Sequence, residues 1–553
     1  MQPAARCQAD LLRVAAAPQV LHAFGKVFAQ GLDAGAAMFP HTVAGPSVDV
    51  FISHNWGGGR WAKHLGLCMY FNLSLAVKTS LGLAMLASAM LILSAGSCTA
   101  WGGNRWLPWL LLYGPMMAFF VTFFWGHLLA SKLWRRSLWL DKVCVDQRDA
   151  ASKQQAISAL PDIITRSRRM LILWDDAYFE RLFCSLEVSL FARNFRGFEH
   201  VDFVPLWMAP WLLCTVFVDL CCAISFQLRE DYFSNWSTAY MPFIHHFLSS
   251  FFGADSGATV FGTYFMIGWF AGLGYLPAAI PSMFSFTQKL RRHALMLEQL
   301  SGYDVRRAKC TLASDRESIE AQISRHFDSD AAKRATPTGS TADTTDRLEE
   351  KLLSASSLGS CASGLERFNA CVQGSLYAAV SEKVGYELHV PYHLSLVTLL
   401  PMILLALVNT LGCDNAPCDQ SARDSGVEGH VWQYMTLNTA VWVVSLGLVF
   451  PTAHPLLLRL LKVVQVQGDR GLCFQTFVSF LCGLLVYVYV YFCWGLVMGS
   501  LAAPFVGAFR PGWLLFALAV VGIMALQTHA LFCARGRPSR LITSGSTLHA
   551  AGV

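Results

Sequence analysis

Glu187 has the surroundings in this sequence that best suit a reactive carboxylate. If the segment around it is a helix, Phe183 and Phe191 lie four residues before and after it, on the same face. Aromatic neighbours desolvate a carboxylate and raise its pKa, and shifts of this kind concentrate at functional sites. The alternative is that Glu187 pairs with Arg181 or Arg193 on an exposed helix edge, a common and weak interaction.

A second group of candidate residues follows the apolar run at 48–52. Ser53, His54 and Trp56 close that run, and the three glycines at 57–59 would let the backbone approach a phosphate. Arg60 could then pair with the same phosphate. These residues are therefore candidates for binding a nucleotide-like ligand. The alternative for each is a capping or packing role.

Trp174 and Tyr178 close another apolar run, at 170–174. Their rings are candidates for stacking on a base, as aromatic side chains do in many nucleotide sites. The alternative is again that both rings pack in the core. The sequence contains no Walker loop, no dinucleotide fingerprint, no metalloprotease motif and no nucleophile elbow. We therefore expect no required cofactor and no metal site.

The composition favours a membrane protein. Of the 553 residues, 54% are hydrophobic and only 14% are charged, whereas about 25% are charged in soluble proteins. The net charge of +6 is modest, and there is no zinc-finger spacing, RNA-binding segment or basic stripe. We expect a lipid bilayer and no nucleic acid as partner. The 17 cysteines are scattered through apolar runs, which is not the pattern of a disulfide framework.

Eight apolar stretches are long enough to cross a bilayer, which takes about 20 residues. The fourth is rich in glycine and proline, which predicts a kinked or tilted helix. The last two contain no acidic residue, lysine or arginine. The stretches are 78–97, 107–130, 206–227, 258–285, 394–412, 434–457, 474–499 and 512–533.

The basic residues near the span ends predict the orientation. With eight spans, most of them fall on one side, which the positive-inside rule assigns to the cytosol. Both termini are then cytosolic, in a membrane that the sequence does not identify. The basic residues on this side are Lys132, Arg135, Arg136, Lys289, Arg291, Arg292, Arg459, Lys462, Arg535 and Arg537.

Three further features concern the membrane part. Asn235 begins a glycosylation sequon on the non-cytosolic side. Cys413 and Cys418 bracket a short turn on that side and could form a local disulfide or remain two thiols. Asp219 lies inside the third span. Intramembrane carboxylates often mark an ion path, and the alternative is a polar contact that locks helix packing.

The pattern of strands and helices predicts how the chain is organised. Short β-rich runs at 48–52, 137–141, 170–174 and 201–206 alternate with helical segments at 153–166 and 179–195, which indicates an α/β flavodoxin-like domain with a doubly wound parallel sheet. The predicted parts are a helical segment 1–46, a cytosolic domain split between 47–74 and 132–205, a membrane hairpin 75–131, two spans in 206–286, a cytosolic connector 287–392 with a disordered tract, four spans in 393–535, and a tail 536–553.

Several motifs of the split domain resemble the Toll/interleukin-1 receptor (TIR) family. The Asp-Val-Phe-Ile-Ser-His run at 49–54 is similar to the first box of the family, and Leu140-Asp141 to the acidic end of its second strand. Phe183, Cys184 and Glu187 resemble the Trp-Cys-x-x-Glu helix of the enzymatic members, with Phe in place of Trp. The chain departs from the family in two places. A membrane hairpin replaces a short loop, and the loop after the second strand lacks the usual glycine.

The resemblance implies a fold and several functions. It implies a TIR-like domain that signals by self-association or by contact with other TIR-like domains. Enzymatic members cleave NAD at the nicotinamide–ribose bond, so NAD is implied as a substrate and Glu187 as the catalytic residue. Two alternatives from other classes remain, namely a channel or transporter regulated by the α/β domain and a non-enzymatic membrane scaffold.

Overall fold

The chain folds into two compact units. The computed structural model describes residues 12–533, except for 30, 32, 96–106, 134–135, 196, 233–234, 255, 311–312, 335–362, 412–430, 467–471 and 507–508. The first unit comprises Met1–Leu93, Pro108–Phe217 and Ser285–Glu387. The second comprises Ser94–Leu107, Val218–Phe284 and Leu388–Val553.

The first unit contains six strands in its described part. A two-stranded antiparallel pair, β1–β2, lies near the N-terminus, and a four-stranded sheet has the order β4-β3-β5-β6 with every pair parallel. The strands are β1 Arg13–Val14, β2 Val43–Ala44, β3 Val48–His54, β4 Leu138–Trp139, β5 Ser167–Trp174 and β6 Val201–Pro205. The four predicted apolar runs thus form neighbouring strands of one parallel sheet.

β3 and β4 pair although a long helical hairpin separates them in sequence. Val50 is in register with Leu138, and the rings of Phe51 and Trp139 stack with centroids 4.7 Å apart. Asp49 and Ser137 fix the start of this pairing, since the backbone N–H of Ser137 donates to Asp49 Oδ2 at 2.8 Å. The split domain is therefore a single sheet.

Helices cover the sheet because its strands are apolar on both faces. The helix Leu182–Phe195 and the first part of the long helix Arg60–Ala95 pack on it. A Cβ added at Gly66 would lie 3.1 Å from Leu206, and the Tyr70 hydroxyl donates to Asp202 at 2.7 Å. The helices of this unit are Ala17–Gly25, Asp33–Met38, Arg60–Ala95, Gly114–Leu133, Asp141–Cys144, Ala150–Ser158, Leu160–Thr165, Leu182–Phe195, Ala313–Arg334, Gly364–Cys371 and Tyr377–Val384.

The N-terminal segment contains more than the expected helices. Its two helices, Ala17–Gly25 and Asp33–Met38, are joined by a short 3₁₀ turn, Lys26–Phe28. The pair β1–β2 brackets them, and Ala15 forms a bridge with Leu138 of β4. The two-residue strands were too short for a sequence pattern to indicate.

The connector after the fourth span packs on the sheet domain. The Tyr303 hydroxyl donates to Ser185 at 2.6 Å, and the backbone N–H of Leu182 donates to the Lys309 carbonyl at 3.1 Å. The helix Ala313–Arg334 belongs to this connector, and its Ile323 is fully buried. The predicted disordered tract, 335–345, lies outside the described residues.

Seven described helices are long and apolar enough to span a membrane. They fit a multipass membrane protein. Eight spans were predicted, and the structure gives up to eight if Tyr392–Thr398 and Leu400–Leu411, bent by 57°, count as one. The seven are Arg60–Leu93, Trp109–Leu129, Met208–Gln227, Gly257–Ser301, Gln433–Val464, Cys473–Ala502 and Pro511–Phe532.

Within the second unit, small residues allow two helices to pack closely. A Cβ added at Gly268 would lie 2.9 Å from Gly495 Cα, and one added at Gly499 would lie 2.5 Å from the Phe261 carbonyl oxygen. Gly495 and Gly499 belong to Leu472–Ala502, and Gly268 belongs to Gly257–Ala271. The spacing of 495 and 499 is the GxxxG pattern of close membrane-helix contacts. The remaining helices described here are Met208–Tyr232, Asn235–Phe252, Ala279–Ser301, Val431–Val444 and Ala453–Val466.

Candidate site at the carboxyl edge of the sheet

The strand order places a crevice at the carboxyl edge between β3 and β5. From β3 the chain passes to β4 on one side, and it then crosses to β5 on the other side of β3. In open parallel sheets, ligands bind where the direction of winding reverses in this way. The residues that follow β3, β4 and β5 are therefore the candidates for a ligand-binding site.

His54, Trp56 and Asp141 form the first polar group at this edge. His54 Nε2 lies 3.2 Å from Asp141 Oδ1, and the Trp56 indole N–H donates to Asp141 Oδ2. Burial lowers the pKa of His54, and the nearby Asp141 carboxylate only partly opposes this shift. Burial alone would raise the pKa of Asp141, but its interactions with His54 and Trp56 outweigh it and the net shift is downward. Asp141 is thus held ionised beside an imidazole that is neutral near pH 7.

Asn55 and Asp175 form a second group that closes the crevice. The Asn55 amide N–H₂ donates to both Asp175 carboxylate oxygens at 3.2 Å, and the Lys63 ammonium donates to the Asn55 carbonyl. A Cβ added at Gly58 would lie 2.1 Å from Asp175 Oδ2. A side chain at position 58 would therefore displace the Asp175 carboxylate, where the loop after β3 approaches the residue that follows β5.

Glu187 lies one layer below, inside the core. Ser53 Oγ donates to Glu187 Oε2 at 2.5 Å and lies 2.6 Å from the Tyr178 hydroxyl. The side chain of Glu187 is 3% exposed, and burial raises its pKa well above the usual value. The negative charge of Asp141 raises it further, whereas the Ser53 hydrogen bond opposes the shift. Glu187 is buried in the core rather than lying on an exposed helix edge with Arg181 or Arg193, and burial disfavours its charged form.

The other predicted ligand-binding residues are placed less favourably. Arg60 donates to the carbonyls of Ala23 and Phe24, at 2.7 and 3.0 Å, and so serves the N-terminal segment. Trp174 and Tyr178 are 1% and 0% exposed. Both rings lie in the core in this conformation, so stacking on a base would require them to be uncovered.

Sequence reasoning missed Asn55, Lys63 and Asp175 and did not count Asp141 as a site residue. Asp175 is the first residue after β5, Asp141 is the second residue after β4, and Asn55 directly follows β3. A search for polar residues at the ends of predicted strands would have found these three. Lys63 lies in the first turn of a helix and gives no such signal. Among the described residues, none of the His, Cys, Asp and Glu side chains cluster as a metal site would require.

The predicted features of the membrane part have different outcomes. Asp219 lies in the helix Met208–Tyr232, which contains one of the membrane-length stretches. The choice between an ion path and a packing contact for Asp219 stays a prediction. Asn235 is the first residue of the helix Asn235–Phe252, although a loop was expected there. Cys413 and Cys418 lie outside the described residues.

Comparison with models of known protein families, with curated proteins and with solved structures finds no match to this chain.

Proposed function

We propose that this chain is a multipass membrane protein whose cytosolic TIR-like domain binds NAD at the carboxyl edge of its sheet and cleaves the nicotinamide–ribose bond. Signalling through self-association is part of the proposal, because the TIR-like motifs imply it. The observation that carries it is the convergence of His54, Asn55, Asp141 and Asp175 on the crevice between β3 and β5, with Glu187 directly beneath.

The chemistry needs a carboxylate close to a developing positive charge. Cleavage of the bond between nicotinamide and ribose gives the ribose an oxocarbenium-like character, as in glycoside hydrolysis. In the proposal Glu187 passes its proton to solvent once ligand binding brings it into contact with the ribose, and its carboxylate then supplies the negative charge. Nicotinamide leaves with the electron pair of the broken bond, and a water molecule adds to the ribose carbon and releases a proton. Asp141, already ionised, is placed to orient His54.

The test uses the full chain in lipid nanodiscs, incubated with NAD, with released nicotinamide measured by chromatography. Glu187→Gln keeps the size and the hydrogen-bonding capacity of the side chain but cannot ionise. We expect it to lower nicotinamide release by at least about 100-fold, the usual effect of removing a group that stabilises transition-state charge. Glu180→Gln is the matched control, because Glu180 lies at an exposed ion pair with Lys309, and it should retain the wild-type rate.

Two results would contradict the enzymatic part of the proposal. One is the absence of nicotinamide release from wild-type protein that is folded and self-associated. The other is equal release from wild type and Glu187→Gln. In the first case signalling by self-association would remain as the function to pursue, and a chain that stays monomeric at all concentrations would contradict that as well.

A further inference from the structure

Phe28 fills the space directly beside the polar group at the carboxyl edge. Its side chain is 1% exposed, and its ring meets the ring of His54 edge to face with centroids 5.4 Å apart. The Lys63 ammonium lies over the same ring, 5.6 Å from its centroid. A single aromatic ring from the N-terminal segment thus contacts the end of β3 and the first turn of the next helix.

The segment that carries Phe28 is attached to the site at two further points. The Lys142 ammonium donates to the Ala29 carbonyl at 3.1 Å. A Cβ added at Gly35 would lie 2.1 Å from the Lys142 carbonyl oxygen, so the helix Asp33–Met38 rests directly on the short helix Asp141–Cys144 that follows β4. With these contacts in place, the segment lies against the carboxyl edge of the sheet, where ligands of open parallel sheets bind.

We propose that Phe28 occupies the subsite for the planar ring of the ligand, and that this ring is an adenine. The inference rests on the proposed function, in that it concerns the same site. A cation over a ring face attracts an electron-rich ring, and the edge-to-face contact with His54 suits any aromatic ring. Adenine meets the first condition, whereas the positively charged nicotinamide of NAD does not. Binding of the adenine then requires Phe28 to leave, so the N-terminal segment competes with the ligand.

The experiment measures the binding of adenosine and of nicotinamide mononucleotide to the full chain in nanodiscs by equilibrium dialysis. Phe28→Ala should bind adenosine at least about tenfold more tightly than wild type, because the competing ring is gone. Nicotinamide mononucleotide should gain much less. Phe39→Ala is the matched control, since Phe39 lies in the same segment but packs against Arg13, 4.8 Å away, and it should leave both affinities unchanged.

A second variant, Phe28→Leu, is used if Phe28→Ala does not fold. Leucine keeps an apolar side chain at this position but has no ring, so Phe28→Leu should also bind adenosine more tightly than wild type. Equal or weaker adenosine binding by a folded Phe28 variant would overturn the proposal, as would an equal gain in affinity for nicotinamide mononucleotide.

The outcome also separates the adenine-subsite proposal from the proposed enzymatic function. Tighter adenosine binding without NAD cleavage would support the adenine subsite and reject the enzyme, and cleavage that depends on Glu187 but is indifferent to Phe28 would do the reverse.

Discussion

A turn with left-handed backbone lies next to the proposed ring subsite. Ala23, Phe24 and Gly25 have φ values of 46°, 56° and 66°, which is the left-handed region. Each non-glycine residue in this region costs about 1–2 kcal/mol. The Arg60 guanidinium, which donates to the Ala23 and Phe24 carbonyls, helps to hold the turn. Arg60 therefore stabilises the segment that presents Phe28.

The first prediction concerns this turn. Ala23→Gly should raise the free energy of unfolding by up to about 1 kcal/mol, because glycine adopts positive φ without steric cost. The same substitution at Ala321, an exposed interior position of the helix Ala313–Arg334, should lower it by about 0.5–1 kcal/mol. Thermal unfolding of the full chain measures both. Destabilisation of similar size at the two positions would show that the turn is not strained.

The second prediction concerns the pH dependence introduced by Glu187. Its pKa is raised by burial, so its contribution to stability is fully present below the unfolded-state pKa of about 4.3 and is lost as the pH rises toward the folded-state pKa. The loss is at most about 1.4 kcal/mol per pH unit. Glu187→Gln has no proton to lose. Its melting temperature should equal that of wild type near about pH 4 and exceed it increasingly toward neutral pH.

The control for this experiment is Glu180→Gln, which removes an exposed carboxylate. Its melting temperature should not exceed that of wild type at neutral pH, because the substitution removes an exposed ion pair with Lys309 and no buried carboxyl group. A difference between wild type and Glu187→Gln that stays constant with pH would mean that Glu187 is not a buried neutral acid.

At the scale of single residues, the sequence identified the positions that directly end an apolar run, such as Ser53, His54 and Trp56. It did not identify the bonds between them and distant residues. The contact between Asn55 and Asp175 joins two strand ends that are far apart in the chain, and it depends on the order of the strands in the sheet. Periodicity does not determine that order.

At the scale of elements, one helix serves both the sheet and the span. Arg60–Ala95 contains 36 residues, and at 1.5 Å per residue it is about 54 Å long, against a hydrocarbon core of about 30 Å. Its first turns pack on the sheet through Gly66 and Tyr70. The polar loop after β3 is therefore joined rigidly to a helix of membrane-spanning length.

The third prediction tests the close contact between two apolar helices. Gly499→Leu should strongly lower the melting temperature in detergent, because a side chain there meets the Phe261 carbonyl oxygen. Gly522→Leu is the control, since nothing lies within 4 Å of a Cβ added at that position, and it should melt like wild type. Equal tolerance of the two substitutions would contradict the packing of Gly257–Ala271 against Leu472–Ala502.

The strands and helices themselves were largely predictable. Four apolar runs predicted four strands, and the longer apolar stretches predicted the membrane-length helices. Both predictions work because strands buried on both faces and helices exposed to lipid consist of uninterrupted runs of apolar residues. The close contact between Gly268 and Gly495 was not predicted. A GxxxG spacing in one helix does not reveal which helix approaches it, and the partner was identified only by the packing.

At the scale of the whole molecule, the pairing of Val50 with Leu138 requires both pieces of the sheet to be on the same side of any membrane that the intervening hairpin crosses. The fourth prediction follows. A protease site inserted between the exposed Arg148 and Asp149 should be cut from the cytosolic side of sealed vesicles. A site inserted between Gly102 and Gly103, in the sequence between the first two spans, should be cut only from the other side. Cleavage of both from one side would show that the hairpin does not cross the bilayer.

The interrupted sheet also has a consequence for biosynthesis. β3 leaves the ribosome well before β4, and β4 reaches its partner only after the two intervening helices have been threaded back through the lipid. A nascent chain with a misinserted hairpin would hold β4 on the wrong side, leave the edge of β3 uncovered, and expose an apolar strand to proteolysis and aggregation. Correct insertion of the hairpin is thus a precondition for folding of the sheet domain, so a quality-control system that removes unfolded sheet domains would also remove chains with a misinserted hairpin.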